Sequence, residues 1–88
     1  MPSVPVLTID DNDALHWTWD GPEVDTWELM KSNSSTSGFD TDTTLDGSAD
    51  YYAGTFPTTY YRLLPHCTPA LGYDATSNTV YSLTGYHT

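Results

Sequence analysis

Apolar and polar positions alternate with a period of two through much of this chain, and that period predicts strands. Ala14 to Trp19 sets Leu15, Trp17 and Trp19 on one face and His16 and Thr18 on the other. A third strand is expected over about Thr26 to Ser32, with Trp27 and Leu29 opposite Glu28 and Met30. Before these, Val4, Val6-Leu7 and Ile9 form a short apolar segment softened by Pro2 and Pro5, the composition of an edge strand. Phe39 to Leu45 is rich in Thr and Asp and predicts a short exposed strand. A brief aromatic strand surrounds Tyr51-Tyr52, Tyr60 to Pro65 forms another, and Asn78 to Leu83 closes the set, with Val80 and Ser82 facing one way and Tyr81 and Leu83 the other.

Turn chemistry separates these segments. Asp10-Asp11-Asn12-Asp13, Asp20-Gly21-Pro22-Glu23 and Asp46-Gly47 are polar breakers, and Gly54 ends the aromatic strand. Ser32 to Gly38 is a low-complexity tract expected to be a mobile loop, and Cys67 to Ser77 is a long irregular connection carrying Pro69 and Gly72. Seven short strands at near-regular spacing predict an all-β sandwich or barrel, with no internal repeat.

Composition supports this reading. The 88 residues are room for one domain and no second core, so residues 1-88 are expected to form a single β-sandwich domain. Three Trp, seven Tyr and two Phe supply the burial that so short a chain needs.

The order of the motifs resembles a fibronectin type III-like domain of the immunoglobulin-like sandwich class. Leu15-His16-Trp17 matches that family's second strand, and Trp27-Glu28-Leu29 matches its third, followed by a Ser/Gly-rich hairpin and the aromatic Phe39. Pro57-Thr58-Thr59-Tyr60-Tyr61 matches the lead into its sixth strand. The resemblance implies that Tyr61 is a corner tyrosine, its ring buried and its hydroxyl bonded back to the backbone, with Arg62 outward and Leu63 inward. Two residues depart from the pattern: Thr58 stands where Gly is frequent, and Pro65 closes a strand usually free of proline.

Charge narrows the possible partners. Twelve acidic residues face only Lys31 and Arg62, a formal net charge of -10. Phosphate backbones and anionic membrane surfaces would be repelled, so neither nucleic acid nor membrane is an expected partner. The acids serve solubility or steer the chain towards a basic patch on a partner. No apolar run approaches the length of a membrane span, and the N-terminus lacks the charged and apolar regions of a signal peptide.

Candidate chemistry is sparse. His16, His66 and His87 lie on separate segments, and Cys67, though next to His66, sits on extended chain where neighbours point apart. One cysteine excludes an internal disulfide and a cysteine-based zinc site. Asp10 to Asp13 and Asp40-Thr41-Asp42 offer hard oxygens, yet neither has the spacing of an EF-hand loop, and turn formation accounts for both. No catalytic residue, metal or cofactor is expected.

The aromatic surplus is more telling. Trp17, Trp27 and Tyr61 read as core, whereas Tyr51 or Tyr52, Tyr60, Tyr73 and Tyr81 cannot all fit inside. Exposed tyrosines fill strand positions, anchor a protein interface or stack on sugar rings. In the interface case Tyr51, Tyr52, Leu71 and Tyr73 are the candidate protein-binding residues. A sandwich beginning at Met1 without a leader resembles the accessory domains of bacteriophage virions. That resemblance implies a non-enzymatic virion surface protein (capsid decoration or cement), seated on a protein lattice by its apolar or aromatic end with acidic loops turned to water. A carbohydrate-binding or adhesion module is the alternative.

Overall fold

A computed structural model describes residues 3–56 and 58–82; Met1, Pro2, Pro57, Leu83 and His87 lie outside the described residues. Seven strands form two antiparallel sheets, an all-β sandwich: β1 (Val6–Ile9), β2 (Leu15–Thr18), β3 (Thr26–Ser32), β4 (Asp40–Asp46), β5 (Tyr51–Tyr52), β6 (Thr59–His66) and β7 (Val80–Ser82). The smaller sheet has the order β1-β2-β5 and the larger β4-β3-β6-β7.

The alternation places the core where expected. Leu7, Leu15 and Trp17 from the smaller sheet meet Trp27, Leu29, Tyr61 and Leu63 from the larger, all buried. The indoles of Trp17 and Trp27 lie 5.9 Å apart, and Trp19 meets Trp27 edge-on at the same distance. Trp17 Nε1 is a buried donor with no hydrogen-bond partner among the described residues. β3 and β6 pair over seven residues, Thr26 opposite His66 to Ser32 opposite Tyr60, and form the spine of the molecule.

The corner tyrosine takes its implied form. Tyr61 is fully buried, and its hydroxyl oxygen accepts the Phe56 N–H at 2.7 Å. Burial raises the phenol's pKa, against the opposing effect of that hydrogen bond. Thr58 adopts φ +57°, a left-handed conformation costly for a β-branched residue and open to Gly. Pro65 removes no ladder bond. Leu63 exchanges hydrogen bonds with Ser77 on the side away from β3, and Pro65, two residues on, faces that same side beyond the end of β7.

Three of the sheet edges, β1, β4 and β5, are guarded. Just before β1, Pro5 has no N–H, and on the strand the Asn78 side chain bonds both the N–H and the C=O of Leu7, each at 2.8 Å. On β4, the register skips Asp42, a bulge that sends its carboxylate to Lys31 Nζ at 3.1 Å. β5 is two residues long. Strand addition is thus disfavoured at each of these edges, leaving loops and faces for recognition.

Candidate interaction surface

The connections gather at two ends of the sandwich. At one, the β2–β3, β4–β5 and β6–β7 connections converge on Asp25. Its N–H donates to His66 O at 2.8 Å, its carbonyl accepts Gly47 N–H at 3.1 Å, and its carboxylate accepts the Thr68 hydroxyl. Gly47 O in turn accepts Trp27 Nε1 at 3.1 Å. A side chain at Gly47 would place its Cβ 1.8 Å from the Val24 carbonyl oxygen, so only glycine permits this approach. These backbone and side-chain bonds together fix the three connections to one another and to the core tryptophan.

Two hollows open on this end. The larger is a groove of about 590 Å³ between Trp19, Pro22 and Val24 on its apolar side and Glu23, Asp25 and Asp46 on its acidic side. Trp19 is held there by its Nε1 donating to Pro22 O at 2.7 Å. The second, about 230 Å³, lies among Cys67, Ala70, Leu71, Tyr73 and Ala75. The Tyr73 hydroxyl donates to Ser3 O at 2.8 Å, tying the long connection to the start of the chain.

Neither cationic residue belongs to this end. Lys31 stands six residues along β3 from Asp25, about 20 Å at the rise of a strand. Arg62 packs its guanidinium over Phe39 at 4.1 Å, with Nε on Thr79 Oγ1 and Nη2 on the Ser35 carbonyl. His66 spends its Nε2 on Glu28 Oε1 at 2.8 Å. The Thr41 hydroxyl, then His66, hold the Glu28 carboxyl below its usual range, while the Ser48 hydroxyl and N–H do the same for Asp46. The groove at this end presents carboxylates with no Lys or Arg among the residues that line it.

Of the four residues singled out from sequence, Leu71 and Tyr73 share the second hollow, Leu71 half-buried and Tyr73 37 % exposed. Tyr51 and Tyr52 lie on β5, across β2 from the β1 edge where Tyr73 reaches Ser3. Tyr51, 50 % exposed, faces outward with its ring 5.1 Å from that of His16. Tyr52 turns inward against the core. The four do not form one surface. Tyr60 and Tyr81 pack on each other at 4.6 Å on the larger sheet.

The Trp19 groove is not legible from alternation, which places Trp19 on the core face of the second strand. β2 ends at Thr18, so Trp19 lies just past the ladder, half-buried on Trp27 with its remaining surface lining the groove, and only Gly21-Pro22 signals that break.

The remaining candidates for chemistry are occupied. Asp10 accepts the N–H groups of Asn12 and Ala14 and the His16 ring, the last being the main reason its pKa is lowered; it caps a turn. Burial and then Asp25 raise the Cys67 pKa, and the neighbouring His66 ring is engaged with Glu28, so the two form no activated pair. No group of three or more His, Cys, Asp or Glu side chains suited to a metal occurs among the described residues.

No family model and no curated protein sequence matches the chain. Among solved structures, it is similar to the pectate lyase PelI from Erwinia chrysanthemi in complex with tetragalacturonic acid, with a TM-score of 0.68 and 17 % identity. The match covers 91 % of this chain and 28 % of that one. At this identity the likeness is one of fold, and the chain spans little more than a quarter of the enzyme's length.

Proposed function

We propose that this chain is a non-enzymatic recognition module of the fibronectin type III-like, immunoglobulin-like kind that docks a basic protein surface through its loop end. The observation carrying this reading is the division of charge: Glu23, Asp25 and Asp46 line a groove walled by Trp19, while Lys31 and Arg62 are engaged elsewhere. Aromatic anchors beside unopposed carboxylates suit a partner that presents Lys or Arg, because complementary potentials raise the encounter rate and an indole face attracts a cation. Leu71 and Tyr73 extend the contact. The contact residues and the acidic loops thus share one end, so docking would cover acids that the sequence pattern alone turns to water.

The setting proposed is a bacteriophage virion, with the module seated on the capsid or another repeating protein lattice as a decoration protein. On a lattice, avidity multiplies a modest end-on contact. The fold family and the guarded strand edges support this setting, since edges closed to strand addition keep adjacent copies from fusing. Co-sedimentation with purified particles tests it. A constant number of copies per lattice unit, displaced by raised salt, is the expected result; absence from particles would refute the virion setting.

Binding of a polyuronate, such as the tetragalacturonic acid in complex with the similar lyase, is disfavoured for this chain. A net charge of -10 repels a polyanion.

A further inference from the structure

We infer that the opposite end of the sandwich carries a site for a neutral saccharide, centred on Phe56. An open pocket of about 410 Å³ lies there, lined by Lys31, Ser32, Asn33, Asp40, Phe56 and Thr59. Phe56 is 55 % exposed, the most exposed large apolar side chain among the described residues. Its ring is held from one side by the Lys31 ammonium, 4.9 Å from the centroid. Ser32, Asn33 and Gly38 of the lining belong to a hydrogen-bonded loop: Ser32 Oγ donates to Ser37 O and accepts Ser34 N–H, and Gly38 closes the turn at φ +75°.

The lining chemistry selects the ligand class by elimination. Asp40 and Asp42 outnumber Lys31, which disfavours an anion, and the Lys31 ammonium already fills the cation's place over the Phe56 ring and beside Asp42, so a second cation would meet like charge there. A purely apolar ligand would strip water from Asn33, Asp40 and Lys31 without replacing its hydrogen bonds. What remains is a neutral molecule with an apolar face and a rim of hydroxyls. A pyranose ring fits: its C–H face packs on the electron-rich face of the phenyl ring, and each hydroxyl both donates and accepts. Lys31 has three N–H donors and gives one to Asp42, Asn33 donates and accepts, and Asp40 accepts. This site is independent of the loop end and of any partner there.

The test is an amide-resolved NMR titration of the full chain with neutral hexasaccharides of glucose, mannose and galactose. A galacturonate oligomer serves as the charged control. At about 10 mM sugar, tenfold above a weak millimolar Kd, at least one neutral hexasaccharide should shift the amides of Asn33 to Gly38 and Phe56 and leave Trp19, Leu71 and Tyr73 unmoved. Phe56→Ala should weaken binding by up to about tenfold, and Phe56→Tyr should keep it. Because the ring is exposed, an unchanged spectrum elsewhere will show that Phe56→Ala still folds. No shift with any neutral sugar, shifts centred elsewhere, tighter binding of the galacturonate, or full binding by Phe56→Ala would each overturn the assignment.

Discussion

The two ends of this sandwich are built on one spine, yet they hold their carboxylates differently. At the end around Ser32 a carboxylate meets a cation, Asp42 pairing with Lys31, and Asp10 is bonded by His16 and two backbone amides. At the other end, the Asp25 carboxylate ties in a neighbouring loop through Thr68, Asp46 accepts Ser48 within its own turn, and no Lys or Arg opposes them or Glu23. Net charge alone does not distinguish these ends; the position of two cations does. A surface whose carboxylates lack counter-charges gains from meeting a basic partner, whereas one with mixed donors and acceptors suits a neutral ligand.

Breaking the spine should abolish the comparison altogether. Leu63→Ala leaves a cavity beneath both ends and should cost about 2–5 kcal/mol, measured by denaturant unfolding. A loss below about 1 kcal/mol would mean that the sheets are not packed as described.

Charge reversal sharpens the contrast, because the same change in net charge can be placed at either end. Asp20→Lys with Glu23→Lys alters two exposed loop-end acids and should weaken partner binding about tenfold or more, with a shallower salt dependence. Asp11→Lys with Asp40→Lys at the far end should change it little. Equal effects would reduce the attraction to net charge alone.

Removing the corner hydroxyl should act on one end. Tyr61→Phe deprives Phe56 N–H of its acceptor and should cost about 1 kcal/mol, with faster amide exchange at Phe56 and no change at Gly47. The smallest effect is in acid. The Glu28 carboxyl lies below its ordinary pKa of 4.5, so the stability it contributes is complete above that value and is lost as pH falls through the depressed folded value. Glu28→Gln should flatten, without abolishing, the decline in melting temperature below pH 4.5, because Asp10, Asp46 and Asp74 are lowered as well.

Much of this fold is legible in the sequence because period-two alternation determines which side chains can be buried together. β3 spans Thr26–Ser32 as the alternation predicts, and Trp17, Trp27 and Tyr61 are core. Alternation also has a limit, since it records a face and not where a strand stops. Hence it carries the second strand one residue too far at each end, and it gives Trp19 its core-facing side without the groove that the same side chain lines. Tyr51 and Tyr52 are neighbours in sequence and so point to opposite faces, which separates them despite their shared chemistry. Phe56 carries no sequence signal as a binding residue, because its partners Lys31 and Asn33 come from a different hairpin.

The most direct test is zero-length carbodiimide coupling of the chain to its assembled partner, with the joined residues identified by mass spectrometry. Cross-links running from Asp20 and Glu23 to partner lysines are predicted. Cross-links that start instead from Asp11 and Asp40, or spread evenly over the carboxylates of both ends, would contradict the assignment of docking to the loop end.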